Sequence, residues 1–504
     1  MFGQRQAMPD TSPHRERLLE LCGELFRDRR LLIASNRGPL EFYYDNGRLA
    51  ARRGSGGVVT ALAAVTEYVP AFWVAAALSD ADREAARAGL ITRPDRPGAL
   101  RLLTPSRRAY RLYYDRVANP LLWFLQHYMW FSPYTPNIGP VLHRAWREGY
   151  RAVNRLFAEA LAELAAESRE PPIVMFHDYH LYLAPGWFRA RFRRAILHHF
   201  IHIPWPEPAY WALLPAEFRA EICASLLAND IVGFHTIQSA RNFLATCQAF
   251  LPEAEVDFRA GTVWYNEHLT WVRCYPISID VQNLRRLAAS EEVERYIAEL
   301  EPVFGPQTIV RVDRLELSKN ILRGFQAFEL LLRRRPDLHG RVKFVAFLVP
   351  SRTGIRAYQE YAGKVFRFAD RLNRRYGRNG WRPVHIFYEN NYPRAIAGMA
   401  RADVLLVNPV ADGMNLVAKE GPIVSRRNLV LILSESAGAY DQLKSACLSV
   451  AAADIEGTAR ALEEALAMPS AERAERIARL RAIIEDQDLT WWLVRQLEDL
   501  QKLA

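Results

Sequence analysis

Cysteine is scarce. There are five in 504 residues, at positions 22, 223, 247, 274 and 447, with no C-x-x-C or C-x-H spacing. That pattern suggests neither a disulfide framework nor a zinc site, and a reducing compartment is expected. Long apolar runs are missing too: no stretch reaches eighteen residues, and the first twenty residues lack the apolar core of a secretory signal. No membrane span is expected, and the cytoplasm is the expected location. Lysine is the third shortage, with only Lys319, Lys343, Lys364, Lys419, Lys444 and Lys502 against sixty arginines. A net charge of +10 ordinarily points to nucleic acid or an anionic membrane surface. Here the bias towards arginine reads as whole-proteome composition, so neither partner is expected. The G-x-G-x-x-G fingerprint, the P-loop, H-E-x-x-H, low-complexity linkers and solenoid repeats are all absent.

What is present is a soluble globular composition, 50% hydrophobic and 24% charged. The length suits two domains of about 200 to 250 residues each. Short apolar runs recur at 31–35, 72–76, 173–177, 197–203, 230–234, 308–312, 342–348, 384–388, 404–408 and 429–433. Helical periodicity separates most of them, over 142–168 and 455–484 for example. Strands alternating with helices predict parallel sheets covered on both faces. CYPISIDVQNL, near residue 280, divides the runs into two sets. The expected fold is α/β, two doubly wound domains facing a cleft, with ligands outside the carboxyl ends of the strands. The last segment, DLTWWLVRQLEDLQKLA, carries apolar residues at helical spacing and is expected to dock.

Polar clusters follow several of these runs. Ser35-Asn36-Arg37 closes the first, and Gly54-Ser55-Gly56-Gly57 can bring backbone N–H groups close to an anion. Paired glycines are equally at home in a plain turn. His177-Asp178-Tyr179-His180 and His202-Ile203-Pro204 put titratable groups at two further strand ends. Taken singly, such histidines read as structural; as two clusters they suggest a site. Metal binding is not expected, because His198 and His199 point to opposite faces of a strand. Arg314 and Lys319 leave a strand for a helix, where a guanidinium and an ammonium can clamp a diphosphate; the plain alternative is ion pairing with Asp313 or Glu316. In Asp412-Gly413-Met414-Asn415-Leu416-Val417-Ala418-Lys419-Glu420, the backbone of 413 to 416 can donate to a sugar or phosphate. Asp412 can accept from sugar hydroxyls, and Glu420 can take both hydroxyls of a ribose.

In order, SNR, GSGG, HDYHL, HIPWP, DRLELSK, PSRTGIRAYQ, DGMNLVAKE and SESAGA resemble the trehalose-6-phosphate synthase family, glycosyltransferase family 20. These are retaining nucleotide-sugar glycosyltransferases of the GT-B fold. The resemblance runs from about residue 31 to about residue 500. It implies that Arg37, Tyr114, Trp123, Asp178 and Arg352 bind the acceptor sugar phosphate. Gly57, Arg314 and Lys319 would bind the donor diphosphate, with Gly413, Met414, Asn415, Leu416 and Val417 alongside. His202 and Asp412 would contact the donor sugar, and Glu420 the ribose. The catalytic set would be His202, Arg314, Lys319 and Asp412. No metal or other cofactor is implied. The implied partners are a UDP, GDP or ADP form of glucose and a sugar phosphate, glucose 6-phosphate first; a homo-oligomer stays open. The implied domains are a tail and helix over 1–30, an acceptor domain over 31–280, a nucleotide-sugar domain over 281–480, and a returning helix over 481–504.

Four departures from the family pattern stand out. Ala75-Ala76-Ala77-Leu78-Ser79-Asp80 replaces a glycine-containing acceptor turn. Glu316-Leu317 and Asn320 replace Asp-Tyr and Gly around the clamp lysine. Phe124 replaces a proline, and Ser278 a glycine. HIPWP followed by EPAYW resembles a pseudo-glycosyltransferase side branch that uses cyclitol substrates. Three readings follow: trehalose-6-phosphate synthase, a related synthase with another acceptor, and a non-catalytic homologue that senses sugar phosphate. The third is disfavoured by the intact His202, Arg314, Lys319, Asp412 and Glu420.

Overall fold

A computed structural model describes residues 14–54, 62, 66, 69–93 and 96–504. They form two compact units, one of residues 14–276 with 491–504 and one of residues 277–490.

The strands of the first unit are β1 (Leu31–Ala34), β2 (Leu40–Asp45), β3 (Arg48–Arg53), β4 (Ala71–Ala76), β5 (Leu90–Arg93), β6 (Arg96–Leu103), β7 (Ile173–His177), β8 (Ile196–Phe200), β9 (Ile231–Phe234), β10 (Glu255–Asp257), β11 (Thr262–Tyr265) and β12 (His268–Cys274). Ten of them form one sheet in the order β10-β11-β12-β9-β8-β7-β1-β4-β6-β5, and β2 and β3 pair as a separate hairpin. From β12 through β6 every pairing is parallel, while β5 and the β10–β11 end are antiparallel. The inner strands β1, β7, β8 and β9 are buried along their whole length, which is why they read as unbroken apolar runs. Chain order reverses between β1 and β7, so the segments leaving those strands, Ser35-Asn36-Arg37 and Asp178-Tyr179-His180, emerge side by side.

The second unit holds β13 (Gln307–Arg314), β14 (Val342–Val349), β15 (Val384–Tyr388), β16 (Val404–Val407), β17 (Val430–Ser434) and β18 (Leu448–Val450). All pairings are parallel, in the order β15-β14-β13-β16-β17-β18. Renumbered within the unit this is 3-2-1-4-5-6, the dinucleotide-fold order, whose ligand crevice lies where the winding reverses. That point is between β13 and β16. Helix Ile321–Arg334 follows β13 and Val417–Val424 follows β16.

Helix Leu489–Gln501 ends the chain. Trp492, fully buried, donates its indole N–H to the Tyr275 carbonyl at 3.1 Å, and the Tyr275 hydroxyl donates to Asp499 at 2.7 Å. These contacts bind residues 491–504 to the first unit. Among the described residues no helix is long and apolar enough to cross a membrane.

Candidate functional site

At the β13/β16 reversal the second unit gathers the residues of two motifs. Arg314 ends β13, and Lys319 sits in the single 3-10 turn Leu317–Lys319. Lys319 Nζ forms an ion pair with Asp412 Oδ2, which also accepts from Asn415 Nδ2 at 3.0 Å. Arg314 pairs with Glu316 at 2.8 Å and keeps its side chain 46% exposed. The plain alternative thus holds in part: Glu316 is Arg314's carboxylate partner, whereas Asp313 is taken by the buried Arg311, at 2.7 and 3.0 Å.

After β16 the chain turns through Asp412 and Asn415, and Asn415 takes the left-handed conformation at φ 74°. Gly438 closes the turn from the other side. A Cβ there would lie 1.9 Å from the Gly413 carbonyl, so only glycine fits. Among the described residues the backbone N–H groups of Gly413 through Val417 have no acceptor, and they lead into the helix that begins at Val417. A row of free donors at a helix N-terminus is a ready anion site. Glu420, one turn along, accepts from the Tyr392 hydroxyl at 2.8 Å, and burial raises its pKa.

Tyr392 borders a cavity at the ends of β13, β14 and β15, lined by Val312, Phe347, Phe387, Asn390 and Ala395 among others. Phe347 and Phe387 are stacked, their centroids 5.1 Å apart at 11°. An apolar slot beside a carboxylate matches a planar base next to a ribose.

Lys419 lies apart from the exposed cations. Its Nζ donates to the Ile277 carbonyl at 2.7 Å and to Gln442 at 2.8 Å, and burial without a carboxylate pushes its pKa down to about 7.

Asn320 explains one departure from the family pattern. It sits at φ 59°, ψ 32°, a left-handed position that glycine satisfies by lacking a Cβ and asparagine tolerates. Its side chain adds hydrogen bonds, with Nδ2 donating to the Asn408 carbonyl at 2.9 Å and the Ala452 carbonyl at 2.6 Å. Arg352, expected to serve the acceptor, lies in this same unit. Its Nη1 is 2.6 Å from Glu316 Oε1, and its backbone is left-handed at φ 44°.

In the first unit the cluster forms around the β1/β7 reversal. Asn36 Oδ1 accepts from Tyr110 at 3.3 Å and from the buried Tyr113 at 3.1 Å. Arg37, its side chain half exposed, lies 3.6 Å from Glu41. Tyr114 and Trp123 belong to a π-helical stretch, Leu112–Trp123, whose wide turns recur at functional sites. Tyr114 stacks on His180 at 5.9 Å, and Trp123 stacks on His127 at 3.9 Å and packs against Tyr179 at 5.6 Å. Asp178, Tyr179 and His180 are consecutive, so one segment touches both expected aromatics.

Asp178 is held at φ 71°, a strained position for a non-glycine residue, with its N–H bonded to the Phe200 carbonyl at 2.8 Å. Asp178 Oδ1 accepts from the His202 backbone N–H at 3.2 Å, and His202 Nε2 meets His177 Nδ1 at 3.2 Å. Burial first, then the surrounding histidines, lowers the pKa of His202 well below the usual value, so the ring is neutral at pH 7. Gly57 lies outside the described residues. Among the described residues no group of three or more His, Cys, Asp or Glu side chains could hold a metal ion.

The replaced acceptor turn has a structural use of its own. Ser79 caps the helix Asp80–Ala85, and Asp82 reciprocates by accepting from the N–H groups of Leu78 and Ser79, both at 2.9 Å. Three residues escaped the sequence reading: Glu316 as a bridge, His177 as the partner of His202, and Asn36 as the tyrosine acceptor. A carboxylate two residues after a clamp arginine was the one available signal.

A model described as glycosyltransferase family 20 matches residues 29–502. The chain is 36% identical over 384 residues to a bifunctional trehalose-6-phosphate synthase/phosphatase of Thermoproteus tenax, a match covering 75% of this chain and 50% of that relative. The chain therefore spans about half the length of that relative. It is 30% identical over 491 residues to an alpha,alpha-trehalose-phosphate synthase (UDP-forming) of Schizosaccharomyces pombe, covering 96% of this chain and 92% of the relative. Among solved structures, an E. coli trehalose-6-phosphate protein bound with UDP-2-fluoro glucose has a TM-score of 0.81 at 26% identity, covering 94% of this chain and 99% of that one. An alpha,alpha-trehalose-phosphate synthase (UDP-forming) from Burkholderia xenovorans in complex with glucose-6-phosphate gives 0.80 at 27%, covering 94% and 100%. With a match spanning nearly the whole sequence, the chain belongs to glycosyltransferase family 20.

Proposed function

We propose that the protein transfers glucose with retention from UDP-glucose to glucose 6-phosphate, giving α,α-trehalose 6-phosphate and UDP. The observation that carries the reading is the β13/β16 reversal, where Lys319 pairs with Asp412 at the start of the turn whose Gly413 through Val417 N–H groups have no acceptor among the described residues, with Arg314 at the end of β13 and Glu420 on the helix that follows. Breaking the anomeric bond to a diphosphate puts negative charge on the leaving phosphate. Fixed cations and backbone donors stabilise that charge in the transition state.

In this reading the 277–490 unit holds the donor. The diphosphate meets Arg314 and Lys319, the ribose Glu420, the base the Phe347–Phe387 cavity, and the glucose Asp412. By the family resemblance, Arg37, Tyr114, Trp123, Asp178 and Arg352 are assigned to the sugar phosphate, His202 to the donor sugar and Gly57 to the diphosphate. No carboxylate nucleophile is invoked: the departing phosphate oxygen takes the acceptor's proton on the face where the new bond forms. Five free cysteines, four of them buried, support a cytoplasmic setting.

The test is release of nucleoside diphosphate from UDP-, GDP- and ADP-glucose with glucose 6-phosphate. The reading expects release, fastest from UDP-glucose. No release from any donor would refute it. The Ser79–Asp82 capping box in place of the acceptor turn favours a second reading, a related synthase with a different acceptor. A cyclitol phosphate consumed in preference to glucose 6-phosphate would select that reading.

A further inference from the structure

Glu316 is completely buried two residues after the end of β13, and the donor and acceptor assignments above do not use it. Its Oε1 accepts hydrogen bonds from Arg352 Nη1 at 2.6 Å and Ser351 Oγ at 2.6 Å, and forms an ion pair with Arg314 Nη1 at 2.8 Å. Its Oε2 is buried without a hydrogen-bond partner among the described residues. The two arginines come from adjacent strands. Arg314 ends β13, and Arg352 follows β14, with Leu315 N–H bonded to the Val349 carbonyl at 2.8 Å as the strands run out.

The backbone reinforces the arrangement. Glu316 N–H donates to the Arg314 carbonyl at 2.8 Å, and the Glu316 carbonyl accepts from Lys319 N–H at 3.2 Å. Arg352 is held further by the Tyr358 hydroxyl at 3.3 Å, with its guanidinium 5.5 Å from the Tyr358 ring centre. Arg352 is thereby 8% exposed while Arg314 is 46% exposed, so one end of the bridge is locked and the other reaches out.

A carboxylate with one oxygen unpaired is a poor choice for packing alone, since an apolar side chain of similar volume fills the space without the desolvation cost. It is a good choice for setting the position of two guanidinium groups at once. Burial alone would raise the Glu316 pKa, but Arg314, Arg352 and Ser351 outweigh burial and hold it down at about 2, so the group stays ionised throughout the working range.

We propose that Glu316 is a positioning residue that fixes Arg314 and Arg352 relative to each other, so that one carboxylate sets both the diphosphate-facing and the sugar-phosphate-facing arginine. The inference rests on the proposed function for the substrates it names. It has a distinguishing sign. A carboxylate that only tempered local positive charge would, when neutralised, let both anionic substrates bind more tightly. A positioning carboxylate, when neutralised, leaves both binding more weakly.

The test compares Glu316→Gln and Glu316→Asp with the wild type by steady-state kinetics, and by calorimetric binding of UDP and of glucose 6-phosphate. Expected are KM values and dissociation constants for both ligands raised tenfold or more in Glu316→Gln, with melting temperature and circular dichroism retained. Glu316→Asp, which keeps the charge, recovers part of both losses. Binding within twofold of wild type, tighter binding, or a loss confined to one ligand would overturn the inference, because a merely structural role has no reason to move both ligands together. If Glu316→Gln does not fold, Glu316→Asp decides by the same criterion: both constants raised, or the inference falls. A wild type that binds both ligands without turnover would refute the proposed function while the binding comparison still decides the role of Glu316. A wild type that binds neither overturns both.

Discussion

Replacing Asn320 tests the link between sequence and backbone at the clamp. The residue is 4% exposed, left-handed at φ 59°, and donates through Nδ2 to the carbonyls of Asn408 and Ala452. Asn320→Ala deprives the buried Asn408 carbonyl and the partly buried Ala452 carbonyl of their donor, at about 1 to 2 kcal/mol each. It also puts a Cβ residue that tolerates the region less well at φ 59°, adding about 1 kcal/mol, for roughly 3 to 5 kcal/mol in all. Asn320→Gly removes the backbone strain, loses the same hydrogen bonds and gains unfolded-state entropy, so it should cost about 2 to 4 kcal/mol and lie between wild type and alanine. Asn320→Asp keeps the shape and the Arg323 contact to Oδ1, 2.9 Å in the wild type, but brings an acceptor against two carbonyls, and should be less stable than wild type. Urea unfolding followed by circular dichroism reads the series. An aspartate variant as stable as wild type would refute the role given to the amide donors, and an alanine variant more stable than glycine would refute the left-handed argument.

The buried Lys419 gives a pH prediction. Its ammonium titrates at about 7 in the fold and at its ordinary value, near 10.4, in the unfolded chain. Between those values the unfolded chain holds the extra proton, so stability rises with pH by about 1.4 kcal/mol per unit from this group. The penalty is complete below pH 7 and is relieved on approach to the unfolded pKa. The stability difference between wild type and Lys419→Met should move in favour of wild type by roughly 3 kcal/mol from pH 7.5 to 9.5, and a flat difference in paired urea titrations would contradict it. At the clamp, Arg314→Ala and Lys319→Ala should each lower kcat by about a hundredfold or more with melting temperature retained. Near-wild-type turnover in either would reject the clamp.

Much of the architecture was legible because buried parallel strands are apolar on both faces. IVMFH and VHIFY coincide with β7 and β15. The other eight runs match strands to within three residues at either end. Some strands escaped because arginine or other polar residues interrupt them, as in β6 (RPGALRLL) and β12 (HLTWVRC), and others because they are very short. β10 is three residues long with alternating exposure, and β18 is equally short, so neither leaves a run to detect. The π-helical stretch that carries Tyr114 and Trp123 has no periodic signature distinct from an ordinary helix.

Within the candidate site, residue types and order were readable and pairings were not. Arg314 and Lys319 stand out in sequence, but that Lys319 pairs with Asp412, 93 residues on, depends on β13 and β16 being neighbours. Glu316 looked like a routine ion-pair partner, because nothing local shows that Arg352 arrives from β14 on the same oxygen. Asn320 looked like a loss of a glycine until the left-handed backbone and the two carbonyls were seen together.

The most direct test of the central claim is the identity of the product. Wild-type protein incubated with UDP-glucose and glucose 6-phosphate, with the mixture followed by proton and carbon NMR, should yield UDP and a single non-reducing disaccharide phosphate with both anomeric centres in the α configuration. Free glucose, a β-linked product, or no consumption of glucose 6-phosphate would contradict the account.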